Sequence, residues 1–600
     1  MSTSPLIDRR HLDFLLHDVL DVTQLTTYPR YAEHSRETFD AAIDLAHRIA
    51  VEKFLPHNRK SDANEPQMVD GRVVLIPEIG EAVAAFNEAG FAGAMADHAI
   101  GGMQLPFAIT AVCDALFAAA NPGTVAYPAL ARAAANLLHA YGTPDQQRLF
   151  MQPIVEGRWF GTMCLSEPQA GSSLADIRTT ATPQADGTYR INGAKMWISA
   201  GDHELGENIV HLVLARIDGA PTGVRGISLF IVPRWNVNAD GSLGARNDVR
   251  LAGLNHKLGQ RGSVNTFLKF GETGACVGHL VGQPNQGLAY MFHMMNEERI
   301  GVGVAAIQQG SVGYLYSLQY ARERRQGRHV DQKDPTSPPV PLIEHADVRR
   351  MLLAQKAYVE GAHLLAFHAA VLVDRAQDAD PDVRRDAALL LDLLTPVLKA
   401  WGSEYALKAN DHAIQILGGY GYTREYPVEQ CWRDNRINPI HEGTNGIQAL
   451  DLLGRKAVMQ DGAALRLLLG EIAATTTAAR AHPALATLAA DLDALAETAA
   501  RTTMAAAQRM AGGEARRVLA NAQHYMTLVG HLVIGWCWLR QAVASEPLVA
   551  RGGADAAFAH GKQQACRWFF ANELPIARAA ARLVADADDT AYAMQADWFG

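Results

Sequence analysis

The hydrophobic pattern of this chain changes period twice, and that constrains its fold more than any other feature. From about residue 36 to 158 apolar residues recur at helical spacing, as in Phe39, Ile43, Ala46 and Ile49. Between about 159 and 282 the runs TYRING, NIVHLVLARI, GISLFIVPRW and SVNTFLKF carry apolar and β-branched residues separated by Gly, Asp and Pro, the signature of strands. Helical spacing returns near Met291, with Val348, Met351, Leu352, Tyr358 and Val359 on one face. A β segment flanked by helical ones has to bury its faces in a layer of its own, so the pattern predicts an α+β chain of several units.

The flanks add two more segments. Residues 1–35 read as a helical arm, with Leu12, Leu15, Leu16, Val19 and Leu20 at helical spacing before a polar connection at Tyr28-Pro29. The Ala-rich stretch after about 458, with recurring Leu and Arg, reads as an additional helical bundle. The expected domains are therefore an arm (1–35), an all-α domain (36–158), a β domain (159–282), a helical domain (283–458) and a C-terminal helical domain (459–600). Such division is expected of 600 residues, a length beyond what one hydrophobic core serves. Thr143-Pro144-Asp145 reads as an N-cap with Pro in the first helical turn, and the four prolines of 328–342 predict a loop between helices.

Composition narrows the function classes. Hydrophobic residues at 48% and charged residues at 20% are those of a packed globular chain. A net charge of -9 disfavours nucleic acid and anionic membranes as partners. The six cysteines form no C-x-x-C pair, which predicts free thiols, no metal site and a cytoplasmic location. The N-terminal stretch, with Asp8, Asp13, Asp18 and Asp21, has no secretory pattern, and the longest apolar run, Leu532 to Leu539, is far short of the roughly 20 residues of a membrane span.

Four local motifs carry possible chemistry, each with two readings on physical grounds. Met163–Ser173 (MCLSEPQAGSS) offers Ser166, Ser172 and backbone N–H groups beside Gly171 to a flavin edge or pyrophosphate, or is a plain Gly/Ser turn. In Lys195–Gly201 (KMWISAG), Trp197 and Ser199 suit an aromatic cofactor, or Trp197 is core. Gln415–Tyr422 follows a helix, so its glycines fit a helix C-cap as well as a diphosphate, and they are no Rossmann fingerprint. In the segment Arg433–Gln448, Glu442 is either a surface carboxylate or a base.

Together with YARERRQGR and the E-G-T-x-x-I-Q segment, these motifs in this order resemble the acyl-CoA dehydrogenase family over about 36 to 458. The arm and the long C-terminal region resemble its large bacterial branch, which includes 3-methylmercaptopropionyl-CoA and broad-range fatty-acyl-CoA dehydrogenases. The resemblance implies an N-terminal all-α domain, a middle β-barrel-like domain, a four-helix bundle and an extra C-terminal helical domain. It implies FAD as cofactor, held by Met163, Leu165, Ser166, Gly171, Ser172, Trp197 and Ser199 on one side. Arg324, Gln326, Gln415 and Gly419 match contacts to its adenine diphosphate half, shared across a homodimer, while Thr444 and Gly446 match contacts beyond the base. Ser172, Asn296, Arg299 and Gly443 match positions that contact the acyl-CoA substrate, Asn296 replacing the family's usual acidic residue.

Glu442 aligns with the family's catalytic base, His441 stands where Tyr is common, and Gly446 where many relatives have Gln. The implied reaction removes the α-proton of an acyl-CoA at Glu442 and the β-hydrogen as hydride to flavin, giving trans-2-enoyl-CoA. Electrons then pass to an electron-transfer flavoprotein. Because a thioester α-C–H is a weak acid, the base must be desolvated and the enolate stabilised. An acyl-CoA oxidase using oxygen shares most of these motifs, and a DNA-associated flavin-containing relative is the reading from another class, against which the acidic charge argues.

Overall fold

The computed structural model describes residues 4–600. The chain forms two compact units: one holds Pro29–Glu298, the other the chain up to Tyr28 together with Arg299–Gly600.

In the first unit the helices α1 (Arg36–Ile49), α2 (Pro77–Glu88), α3 (Phe107–Ala120) and α4 (Pro122–Tyr141) precede the sheet. Ser35 caps α1 with a reciprocal bond from Thr38, and Asn121 caps α4 just ahead of Pro122. The Thr143-Pro144 signal proves to be a full capping box with Gln146. α3 is buried almost all round, and Phe54, Phe86, Phe91 and Phe117 cluster in this unit with ring centroids 4.9–6.5 Å apart.

The eight strands of the main sheet are β1 (Trp159–Cys164), β2 (Thr180–Pro183), β3 (Tyr189–Ser199), β4 (Asn208–Ile217), β5 (Ile227–Pro233), β6 (Val249–Leu254), β7 (Asn265–Phe270) and β8 (Val277–Val281). They lie in the order β6-β7-β3-β8-β5-β4-β1, with β2 pairing β3 and β4. β1 and β2 run parallel to β4, and the other pairs are antiparallel. Residues 208–215 of β4 and all of β5 are buried, which is why these two runs read as continuous apolar stretches without alternation.

The second unit is helical. Its long members are α5 (Gly287–Glu323, which enters it at Arg299), α6 (Ala346–Arg375) and α7 (Pro381–Leu417). The shorter α8 (Val428–Asn435) and α9 (Asn445–Asp451) follow. The proline-rich stretch between α5 and α6 is a loop, closed at its base by Gln326 N–H donating to Val340 O and Val340 N–H to Gly327 O. α7 contains Pro396, which leaves the carbonyl of Asp392 without its helical partner. The buried Lys456 fills the gap, its Nζ donating to Asp392 O at 2.8 Å and to the Asp392 carboxylate.

The C-terminal helices are α10 (Met459–Arg480), α11 (Ala486–Arg509), α12 (Ala522–Arg551), α13 (Gly553–Asn572) and α14 (Leu574–Asp586). The run Leu532–Leu539 lies in α12 and is wholly buried, because α12 is the central helix of this layer. Among the described residues no helix is long and apolar enough to cross a membrane.

A buried polar cluster ties the N-terminal arm to this layer. Lys562, 1% exposed, donates to Glu360 Oε2 at 2.7 Å and Gln541 Oε1 at 3.0 Å, and its Nζ lies 2.6 Å from Nδ1 of His11 in the helix Arg9–Asp13. His363 bonds His11 and Gln308, and Gln308 donates to Leu6 O. Burial, reinforced by the Lys562 charge, holds His11 well below its usual range, so it accepts as a neutral ring. Lys356 pairs with the other Glu360 oxygen, so loss of Lys562 removes charged hydrogen bonds without leaving the carboxylate unpaired. Lys562→Met is therefore expected to destabilise the protein by about 1–3 kcal/mol in chemical denaturation and to speed proteolysis of the arm; an unchanged denaturation midpoint would count against the cluster as a tether.

Candidate active site

The first group of site residues lies at the end of β1 and along β3. Met196 N–H donates to Ser166 O at 3.0 Å, and Lys195 Nζ donates to Leu165 O at 3.0 Å and to Glu167 at 2.9 Å, so the MCLSEP and KMW segments are stitched side by side. Glu167 also accepts from the backbone N–H groups of Arg178 and Thr179 and from the Thr179 hydroxyl. Met163, Leu165, Ser166 and Ser199 are half-buried; Ser172 is exposed, and open space surrounds Gly171. Ser199 Oγ accepts from Asn265 at 3.3 Å.

Trp197 settles one of the two sequence readings: it is 62% exposed and is not core. Its register explains how. Thr266 pairs with Ile198 and Leu268 with Lys195, which leaves an extra residue on β3, and Trp197 takes φ 67 in that bulge. A left-handed non-glycine residue costs roughly 1–2 kcal/mol, and here the strain turns a large indole outward. An exposed ring beside a row of small residues is what a flat heteroaromatic ligand requires, so these residues fit a flavin.

The second group is the turn ahead of α9. Glu442 has φ 52 and Gly443 φ 84, two successive left-handed residues. The left-handed backbone favours glycine at 443, and a Cβ there would stand 2.6 Å from Gln448 Nε2 and push that amide aside. Gln448 Nε2 donates to Glu442 O at 3.1 Å, and Thr444 caps α9 through its Oγ1, which accepts from Ile447 N–H. Gly446 is exposed in the first turn of α9.

His441 Nε2 donates to Asn438, Asn438 to Asn435, Asn435 to Asn410, and Asn410 to the backbone carbonyl of Gln309. This chain of buried amides fixes the His441 tautomer. Burial, with the Lys399 charge adding to it, lowers His441 to about 3 and keeps it neutral. Burial raises the Glu442 carboxyl from 4.5 to about 7, the charges of Arg299 and Lys399 opposing the rise. Arg299 is buried on α5, its charge felt by Glu442 and Asp451, whereas Asn296 is exposed.

A third group surrounds the C-terminal ends of α5 and α7. Arg324, Gln326, Gln415 and Gly419 are exposed, with the Arg324 guanidinium 5.7 Å from the Tyr420 ring centre. Gly418, at φ 62, ends α7 as a C-cap. Tyr420 and Tyr422 are exposed beside it, Tyr422 at 87%.

Sequence reasoning missed Lys399. It is 0% exposed, and its Nζ donates to Gly443 O at 2.6 Å and to Asn445 Oδ1 at 3.3 Å. A lone lysine inside the apolar run Leu393–Trp401 was the available signal.

Four family models match the chain: the acyl-CoA dehydrogenase N-terminal domain over 36–158, its middle domain over 162–270, its C-terminal domain over 285–458, and an acetyl-CoA dehydrogenase C-terminal-like domain over 468–595. The chain belongs to the acyl-CoA dehydrogenase family. It is 36% identical to a 3-methylmercaptopropionyl-CoA dehydrogenase of Ruegeria pomeroyi, over 92% of this chain and 93% of that protein. It is 35% identical to the broad-specificity linear acyl-CoA dehydrogenase FadE5 of Mycobacterium tuberculosis, over 94% of each. Its fold matches that of an acyl-CoA dehydrogenase from Bacillus anthracis solved with FAD, at TM-score 0.72 and 20% identity, covering 97% of this chain and 95% of that one.

Within the first group, burial pushes Glu167 up, but the Lys195 charge and the Thr179 and Arg178 hydrogen bonds outweigh it and bring the carboxyl from 4.5 to about 2. Lys195 is itself held below its usual range by burial, which trims what the pair contributes. A depressed carboxyl stabilises the fold fully above its unfolded value, and the contribution is lost as pH falls through the folded one. The stability difference between wild type and Glu167→Gln is expected to shrink by about 2 kcal/mol between pH 7 and pH 3 in urea denaturation; a pH-independent difference would argue against an ionised pair.

Proposed function

We propose that this protein oxidises an acyl-CoA thioester between C2 and C3, with Glu442 taking the α-proton. The observation that carries the reading is a carboxylate held on a left-handed turn and raised by burial to about 7. A base poised near neutral pH is matched to abstraction of a weakly acidic C–H, where a solvated carboxylate would be too weak. Protonation of Glu442 leaves it neutral in its desolvated place, so burial assists proton uptake in the direction the reaction needs.

FAD is the cofactor, and when bound it supplies the two-electron oxidising chemistry. Met163, Leu165, Ser166, Gly171 and Ser172 would hold its ring edge and phosphates, Trp197 and Ser199 its ring, and Thr444 and Gly446 its near chain. Glu442 and Gly443 N–H groups are the donors proposed for the thioester oxygen as it gains enolate charge. Ser172, Asn296 and Arg299 are proposed to serve the CoA portion; Arg299, buried beside Glu442, also favours the ionised base. The exposed patch of Arg324, Gln326, Gln415, Gly419, Tyr420 and Tyr422 supports a second copy of this chain completing the adenine diphosphate site. The electron acceptor proposed is an electron-transfer flavoprotein.

Anaerobic mixing of the yellow holoenzyme with acyl-CoAs of graded length tests the reading. Glu442→Gln is expected to keep FAD and lose bleaching by at least 1,000-fold, on the order of what a removed acid–base group contributes. Normal bleaching in that variant sinks the assignment. Because the base acts ionised, wild-type bleaching is expected to rise with pH through about 7; a rate that falls over that range contradicts the role. Peroxide release in air, in place of reduction of an acceptor flavoprotein, would identify an oxidase.

A further inference from the structure

The wholly buried Lys399 sends its hydrogen bonds to the turn that carries Glu442. Its Nζ donates to the carbonyl of Gly443, the residue after Glu442, at 2.6 Å, and to Asn445 Oδ1 at 3.3 Å. Asn445 is held in turn by the Ser403 hydroxyl at 3.2 Å and donates to Ala400 O at 3.1 Å, so one face of α7 grips the turn at three points. Two left-handed residues in succession point the Gly443 carbonyl into α7, and a buried carbonyl there requires a donor. A neutral donor would meet that need. An ammonium adds a positive charge within reach of a desolvated carboxylate.

We propose that Lys399 is a positioning residue for proton abstraction, holding the Glu442 turn through Gly443 and Asn445 while its charge favours the ionised base. The proposal rests on Glu442 being the base. Electrostatics support it from both sides: burial lowers Lys399 from 10.5 to about 7 against the pull of Glu442, and Lys399 opposes the burial that raises Glu442. Two groups so coupled titrate as a pair, and the pair's apparent values set the pH limb. The other groups facing the turn are Arg299 from α5, which also favours the carboxylate, and His441, held neutral. Asp392, Asp451 and Arg455 act on Arg299.

The test is the pH dependence of anaerobic flavin bleaching by an acyl-CoA in wild-type holoenzyme and in Lys399→Met, Lys399→Gln, Lys399→Arg and Glu442→Gln. Lys399 is among the charges that hold the Glu442 carboxyl down, and loss of a nearby opposite charge moves a carboxyl by about one unit or more. The neutral variants are expected to shift the limb upward by about one unit, slowing bleaching roughly fivefold at pH 7 and converging on wild type above pH 9. Lys399→Arg is expected to keep the limb near its wild-type position. A neutral-variant limb at the wild-type pH, or a loss of rate that is the same at every pH, overturns the proposal. Failure of both neutral variants to hold FAD while Lys399→Arg holds it also overturns it, by making the side chain a requirement of the fold alone. Glu442→Gln separates the two readings. If it bleaches normally, the base assignment falls; if it is inert while the Lys399→Met limb stays put, only the role of Lys399 falls.

Discussion

The left-handed backbone at Glu442 and Gly443 is the constraint around which the candidate site is built. A side-chain-bearing residue in that region costs on the order of 1–2 kcal/mol, and it persists only where its surroundings offer no better arrangement. Here Gln448 takes the Glu442 carbonyl, Lys399 takes that of Gly443, Asn445 N–H reaches back to Pro439 O, and Thr444 starts α9. Each bond satisfies a backbone group that the turn would otherwise strand away from water. Trp197 repeats the device in the sheet, where a bulge on β3 and φ 67 turn an indole outward.

Burial does opposite things to the titratable groups nearby, and the differences sort their roles. Glu442 has Arg299 and Lys399 to oppose desolvation, but burial outweighs them and its carboxyl rises. Glu167 has Lys195 at 2.9 Å and four further donors, and its carboxyl falls. The same residue type is thus held near neutral pH in one place and kept ionised well below the usual carboxylate range in the other. His441, neutral and locked through the asparagine chain, takes no part in that balance except as a fixed dipole.

Much of the fold was legible in the sequence because periodicity is a local property. The α-β-α order, the four strand runs, the Thr143-Pro144 box and the C-cap at Gly418 all follow from residues close together in the chain. The chemical site was legible only in part. Motifs placed Glu442 and Trp197, but neither the strain at those two residues nor the outward aim of the indole has a local signature, since both depend on partners in distant strands and helices. Lys399 stands inside an apolar run, whereas Lys562 is flanked by Gly561, Gln563 and Gln564 and has no such local signal; the meaning of both lies in contacts 44 and 202 residues away along the chain.

The C-terminal helices have a physical connection to the Glu442 turn even though they carry none of the motifs. α7 holds the turn through Lys399, Ala400 and Ser403, and its other face is clamped by the added layer. Trp401 stacks on Tyr405 at 4.1 Å and packs so closely on Gly530 of α12 that a Cβ there would stand 2.3 Å from the indole. Tyr405 Oη lies 3.1 Å from His531 Nε2, and Tyr358 donates to Glu573, at the junction of α13 and α14, at 2.8 Å. Pro396 has already removed one bond from α7 a single turn before Lys399, a weakness that Lys456 covers from outside the helix. A helix with a gap in its own hydrogen bonding needs walls on both sides to hold an ammonium against a carbonyl at fixed distance. The added layer supplies the second wall, and its central helix α12 also packs against α9, the helix that the Glu442 turn begins.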